Sequence, residues 1–144
     1  MADGDPTPGL WNWAIGKRID ADRVRGAIAG TLEHSVVPLG ADGVIMCDVY
    51  PVGGDFPTLA DVYLAPDEVE EATAASAVAV RLGAAILLPD DTLDPTRYVL
   101  AEPDGTLRRV HVDEIETDDG PERRGLRACT GDDCDRTPDR PAAA

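Results

Sequence analysis

The sequence predicts an α+β fold, a mainly antiparallel sheet of about five strands with two helices packed on one face. Two segments carry apolar residues at helical spacing, and several short runs rich in aliphatic residues are bounded by Gly and Pro. Their order runs helix, short strand, hairpin, helix, strand, hairpin. Strands joined mostly by hairpins, with helices between the groups, form a sheet that the helices cover from one side.

Taken in chain order, residues 1–14 are acidic and rich in Pro and Gly, and are expected to form an arm from which Trp11 and Trp13 cover one end of the core. The first helix begins at Asp20, a good N-cap residue, with Ile19 and Val24 placed as a hydrophobic staple. Val24, Ile28 and Leu32 then form one apolar stripe. A short strand is expected at Val36–Val37. Residues 44–64 read as two strands joined around Gly53 and Gly54, with Pro51 and Pro57 confining the pairing to the strand interiors. The first of these is apolar apart from Asp48, which suggests a central position.

The second helix follows Pro66, with Asp67, Glu68, Glu70 and Glu71 complementing its N-terminal dipole and Gly83 ending it. "AAILLP" is a buried strand closed by Pro89, and residues 97–114 form a hairpin about "EPDGT". A single α+β domain is therefore expected over 1–117. From Asp118 onward Gly, Pro and charge replace periodicity, so 118–144 is expected to be an acidic, disordered tail.

The formal charge is −15, and residues 1–112 hold 18 acidic and 8 basic side chains, so the acidity belongs to the folded part as well as the tail. Such a field repels nucleic acid phosphates and anionic membranes and attracts basic proteins. No apolar run reaches membrane-spanning length and no secretory leader is evident at residue 1. Together with the odd count of three cysteines, this leads to a cytoplasmic expectation. One lysine, Lys17, stands against twelve arginines, a bias expected of a GC-rich coding sequence.

Chemistry-bearing motifs are sparse. Asp90, Asp91 and Asp94 follow an apolar strand as a Mg²⁺ site would require, but no phosphate-binding loop accompanies them, and Asp and Pro are ordinary turn formers. His34 and His111 have no partner at a recognisable spacing, and Cys129 and Cys134 are too few for zinc. No catalytic residue, metal or cofactor is expected.

The leading expectation is a non-enzymatic acidic protein-binding domain, an inhibitor or bacterial immunity-type protein for a basic partner. Its expected contact residues are Asp90, Asp91 and Asp94 with Asp67, Glu68 and Glu71. Two alternatives compete with it. One is a small enzyme with a pocket around Cys47, Asp48 and Tyr63; the other is an assembly subunit that buries its free sheet face in a homo-oligomer.

Overall fold

The computed structural model describes residues 10–38, 40, 45–66, 68–89, 97–118 and 120–128. Its elements are β1 (Trp11–Ile15), α1 (Ala21–Leu32), β2 (Val36–Val37), β3 (Ile45–Pro51), β4 (Thr58–Tyr63), α2 (Glu71–Leu82), β5 (Ile86–Pro89), β6 (Arg97–Ala101), β7 (Leu107–Thr117) and β8 (Gly120–Ala128). The class is α+β, with two helices on an eight-stranded sheet of order β2-β3-β4-β1-β5-β6-β7-β8. Every pairing is antiparallel except that of β2 with β3.

Both helices follow their local signals. The Asp20 carboxylate accepts from the Asp22 amide at the start of α1, and Val24, Ile28 and Leu32 are its buried stripe. Gly83 ends α2 in the left-handed region at φ 65°, where its N–H satisfies the carbonyls of Ala79 and Val80. This helix starts later than Pro66 suggests: Glu70 is the N-cap, and just before it the Val69 amide donates to the Pro66 carbonyl at 3.2 Å. Ala74, Ala75 and Ala79 are buried, which lets α2 lie close to its neighbours. Between the helices, Arg81 donates to the Gly30 carbonyl at 3.3 Å.

Three expectations need correction. The segment read as an N-terminal arm contains β1, the strand between the two halves of the sheet, and Trp11 and Trp13 are core residues stacked at 5.3 Å beneath the helices. That position belongs to β1 rather than to β3, which lies next to the edge strand β2. Residues 120–128, expected to be outside the fold, pair with β7 as β8, so the sheet has eight strands rather than about five. Residues 129–144, with Cys129 and Cys134, lie outside the described residues.

Each face of the sheet carries its own apolar cluster. Strand alternation sends Trp13, Ile15, Ile45, Cys47, Ala60, Val62 and Ile86 toward the helices. Ala14, Leu59, Leu87, Tyr98, Leu100, Val110 and Val112 point the other way, where Val52 and Phe56 from the β3–β4 connection join them. The sheet curls enough for β8 to meet that connection. The Asp55 amide donates to the Arg123 carbonyl at 2.9 Å, and the Gly125 amide donates to Asp55 Oδ2 at 3.2 Å. Gly54, at φ +85°, makes this approach: a β-carbon there would stand 2.9 Å from the Arg123 carbonyl oxygen.

Because β8 supplies a ladder to β7 and closes the sheet onto the β3–β4 connection, a chain ending at residue 117 is expected to melt below one ending at residue 128. A fall of about 5 °C or more, read by circular dichroism, is the expected result. Equal melting temperatures would mean that β8 contributes nothing to folding.

Candidate functional site

The β3–β4 hairpin places Asp48 directly opposite Asp61. Tyr50 pairs with Leu59 and Met46 with Tyr63 in the same register, so Met46, Asp48, Tyr50, Asp61 and Tyr63 all project from the face away from the helices. From the neighbouring strand Asn12 pairs with Asp61. The Asn12 amide nitrogen donates to Asp61 Oδ1 at 2.9 Å, and the Tyr50 hydroxyl donates to Oδ2 at 3.1 Å. Asp61 is thus held by one donor on each oxygen. Asp48 has no donor or ion-pair partner among the described residues.

Burial, followed by the charge of Asp61 and its hydrogen bond, pushes the Tyr50 phenol up to about 12. Tyr63 is also raised, by burial first and then by the charges of Asp61 and Asp48. Both phenols are therefore neutral donors over the ordinary pH range.

Beyond Tyr50 the polar groups continue beneath the β7–β8 ribbon. The Tyr98 hydroxyl donates to Glu114 Oε1 at 3.0 Å, and Arg123 lies 3.7 Å from the same oxygen. Burial raises the Tyr98 phenol, an effect that the positive charge of Arg123 opposes. Strand β8 and the β3–β4 connection enclose this part. The end of the face bearing Asp48, Asp61 and Tyr63 remains partly exposed.

The pocket expected around Cys47, Asp48 and Tyr63 does not form, because adjacent residues of a strand project to opposite faces. Asp48 and Tyr63 share the outer face, whereas Cys47 points into the helix-covered core with no exposed surface. Burial pushes its thiol up to about 12 despite the nearby Arg25 charge, leaving a neutral and inaccessible sulfur.

Among the expected contact acids, Asp67, Asp90, Asp91 and Asp94 lie outside the described residues. Glu68 is exposed, while Glu71 serves the core by accepting the indole N–H of Trp13 at 3.0 Å. His34 is exposed after α1, and His111 is half-buried, pairing with Arg97 and projecting opposite Val110 and Val112. Among the described residues no cluster of three or more His, Cys, Asp or Glu side chains could hold a metal ion, and no helix is long and apolar enough to cross a membrane.

Sequence reasoning missed Asp61, Asn12 and Tyr50. A hairpin signal was present, since Asp48 and Asp61 lie symmetrically about Gly54–Asp55, and centring the turn there would have paired them. The chain matches no family model, and no curated protein or solved structure matches it either.

Like charges directly opposite on adjacent strands oppose pairing. Asp48→Asn keeps the side-chain shape and leaves the bonds of Asp61 intact, so it is expected to stabilise the fold by roughly 0.2–1 kcal/mol in urea unfolding. A loss of stability would show that the carboxylate contributes to folding.

The raised Tyr50 pKa also has a signed consequence. Its folded value, about 12, exceeds the ordinary 10.0, so the unfolded chain releases the proton first. The associated stabilisation is complete below pH 10 and is lost as pH rises toward 12. Urea unfolding across this window should show wild type losing stability more steeply than Tyr50→Phe, and parallel curves would contradict the assignment.

Proposed function

We propose that this chain is a non-enzymatic, cytoplasmic protein-binding domain whose outer sheet face receives a basic partner, in the manner of an inhibitor or immunity-type protein. The observation that carries this reading is the Asp48–Asp61 pair. Two carboxylates stand opposite each other on a partly exposed face, one fixed by Asn12 and Tyr50 and the other without a donor among the described residues. The arrangement opposes strand pairing and becomes favourable when a cation lies between the two acids. The net charge of −15 supports it, because a field of that sign steers basic proteins toward the face. The expected contact therefore centres on β3 and β4, with the exposed Glu68 a few residues beyond the end of β4.

Co-purification from the native host provides the test, with wild type compared against Asp48→Arg. That variant replaces a repelling cross-strand pair by an attractive one and is expected to stay folded. The expected result is a basic protein retained by wild type, lost from the variant, and released from wild type in about 1 M salt, where charges are screened beyond ~3 Å. With the purified pair, the association rate should fall by about tenfold or more in the variant. Retention of the same proteins by both chains, insensitive to salt, would refute the reading.

A further inference from the structure

The outer end of the β7–β8 ribbon extends beyond the sheet that carries it. β6 pairs with β7 as far as His111, and among the described residues 113–117 of β7 pair with β8 alone. The register shift between His111 and Asp113 lies where β7 leaves β6. On the β8 side Gly125, at φ +74°, stands between the partners of those two residues, Arg124 and Arg127. A bulge bends the strand that carries it, and glycine adopts a positive φ at no steric cost. We propose that residues 113–117 and 120–124 form a flap, hinged at this bulge, that swings off the outer face while the rest of the sheet stays folded.

Closure rests on a narrow seam along residues 52–55. A β-carbon on Gly120 would stand 3.3 Å from Val52 Cγ1, one on Gly53 would meet the Glu122 carboxylate, and Gly54 lies against the Arg123 backbone. Asp55 supplies two hydrogen bonds, its amide donating to the Arg123 carbonyl at 2.9 Å and its carboxylate accepting from the Gly125 amide at 3.2 Å. The Tyr98 hydroxyl adds a third through Glu114. None of residues 113–117 or 120–124 is buried, so the flap brings no side chain to either apolar cluster. A two-stranded ribbon without a core face is marginal by itself.

The closed form also carries a cost. Arg123 Nη1 is buried with no hydrogen-bond partner among the described residues, and Nη2 lies 3.7 Å from Glu114, an acid of the same flap. A buried donor without an acceptor opposes the state that buries it, and opening returns this nitrogen to water. The same motion frees the Tyr98 hydroxyl and uncovers Val52, which is 4% exposed when the seam is closed. Few anchors set against that cost make opening a local event rather than a step of global unfolding. The flap thus controls how much of the outer face is presented, adding a phenol and an aliphatic side chain when it opens.

Amide hydrogen exchange of the full chain, read by NMR, tests this. The Asp55 amide reports the seam because its acceptor lies on the flap, and the ladder amides of β4 and β6 report the sheet. Corrected for intrinsic rates, Asp55 is expected to exchange at least about a hundredfold faster than the slowest of those ladder amides, with little dependence on urea below the unfolding transition. The Gly125 amide, which reports the seam from β8, should match the protection of Asp55 within about threefold. Asp55→Ala keeps the amide but removes the carboxylate, and should speed exchange at position 55 by about fivefold or more, the worth of one hydrogen bond.

Exchange of Asp55 at the rate and urea dependence of the slowest ladder amides would show that the seam parts only when the whole chain unfolds, and would overturn the flap. Unequal protection of Asp55 and Gly125 would reduce the motion to fraying of one side and overturn it too. So would an unchanged rate at position 55 in Asp55→Ala, since the latch would then hold nothing.

Discussion

Among the described residues, β1 is the strand through which the ladders of the two halves of the sheet are joined, while the Gly54–Asp55 turn of one half meets β8 of the other across the curl. The five residues of β1 pair with β4 along their whole length and with β5 through Ala14 and Ile15, so the β2–β4 group and the β5–β8 group hold a common register because this strand lies between them. Four of the five side chains are buried, and the exception, Asn12, is the residue that reaches Asp61. The strand thus contributes on both faces. Trp13 anchors the core beneath the helices and bonds to Glu71 at the start of α2, while Asn12 fixes one carboxylate on the outer face. Thr58 extends the anchoring to the exit from β1: buried, it donates to the Lys17 carbonyl at 2.7 Å and accepts from the Ile19 amide at 3.1 Å, which sets the path into α1.

With the register fixed, the difference between the two ends of the outer face follows from where the sheet finds cover. At β6 and β7 the curl brings β8 and the β3–β4 connection together, and Val52, Phe56, Leu100, Val110 and Val112 are buried there. Around Asp48 and Asp61 the face keeps carboxylates, an amide and phenols, groups that are costly to desolvate without partners. The same sheet therefore presents a closed apolar end and a partly exposed polar end. At the polar end two acids stand directly opposed across strands, an arrangement that works against strand pairing.

The helix-covered face offers less scope for chemistry. Its charged neighbours are used to satisfy backbone, as when Arg25 donates to the Cys47 carbonyl at 2.9 Å, and Cys47 itself is enclosed by aliphatic packing. A thiol in that setting behaves as a small apolar side chain. A reading built on adjacency in sequence, which grouped Cys47 with Asp48, joined two residues that the pleat separates.

What the sequence determined by itself was local. Asp20 and the Val24, Ile28 and Leu32 stripe defined α1, Gly83 ended α2, and "EPDGT" formed the β6–β7 turn, with Gly105 at φ +94° and its amide donating to the Glu102 carbonyl at 2.9 Å. Each of these depends on residues within about five positions of one another, so propensity and capping suffice to specify them. Tertiary structure decided the rest. β1 reads as part of a Pro- and Gly-rich arm until β4 and β5 supply its partners. β8 is mostly polar and exposed, and it is a strand because the long β7 and the Gly54–Asp55 turn take up its backbone groups. The opposition of Asp48 to Asp61 required the hairpin register, and the anchoring of Asp61 by Asn12 joins residues 49 positions apart. Strand pairing satisfies hydrogen bonds between segments that carry no record of each other in their local sequence, and the candidate site is built from those pairings.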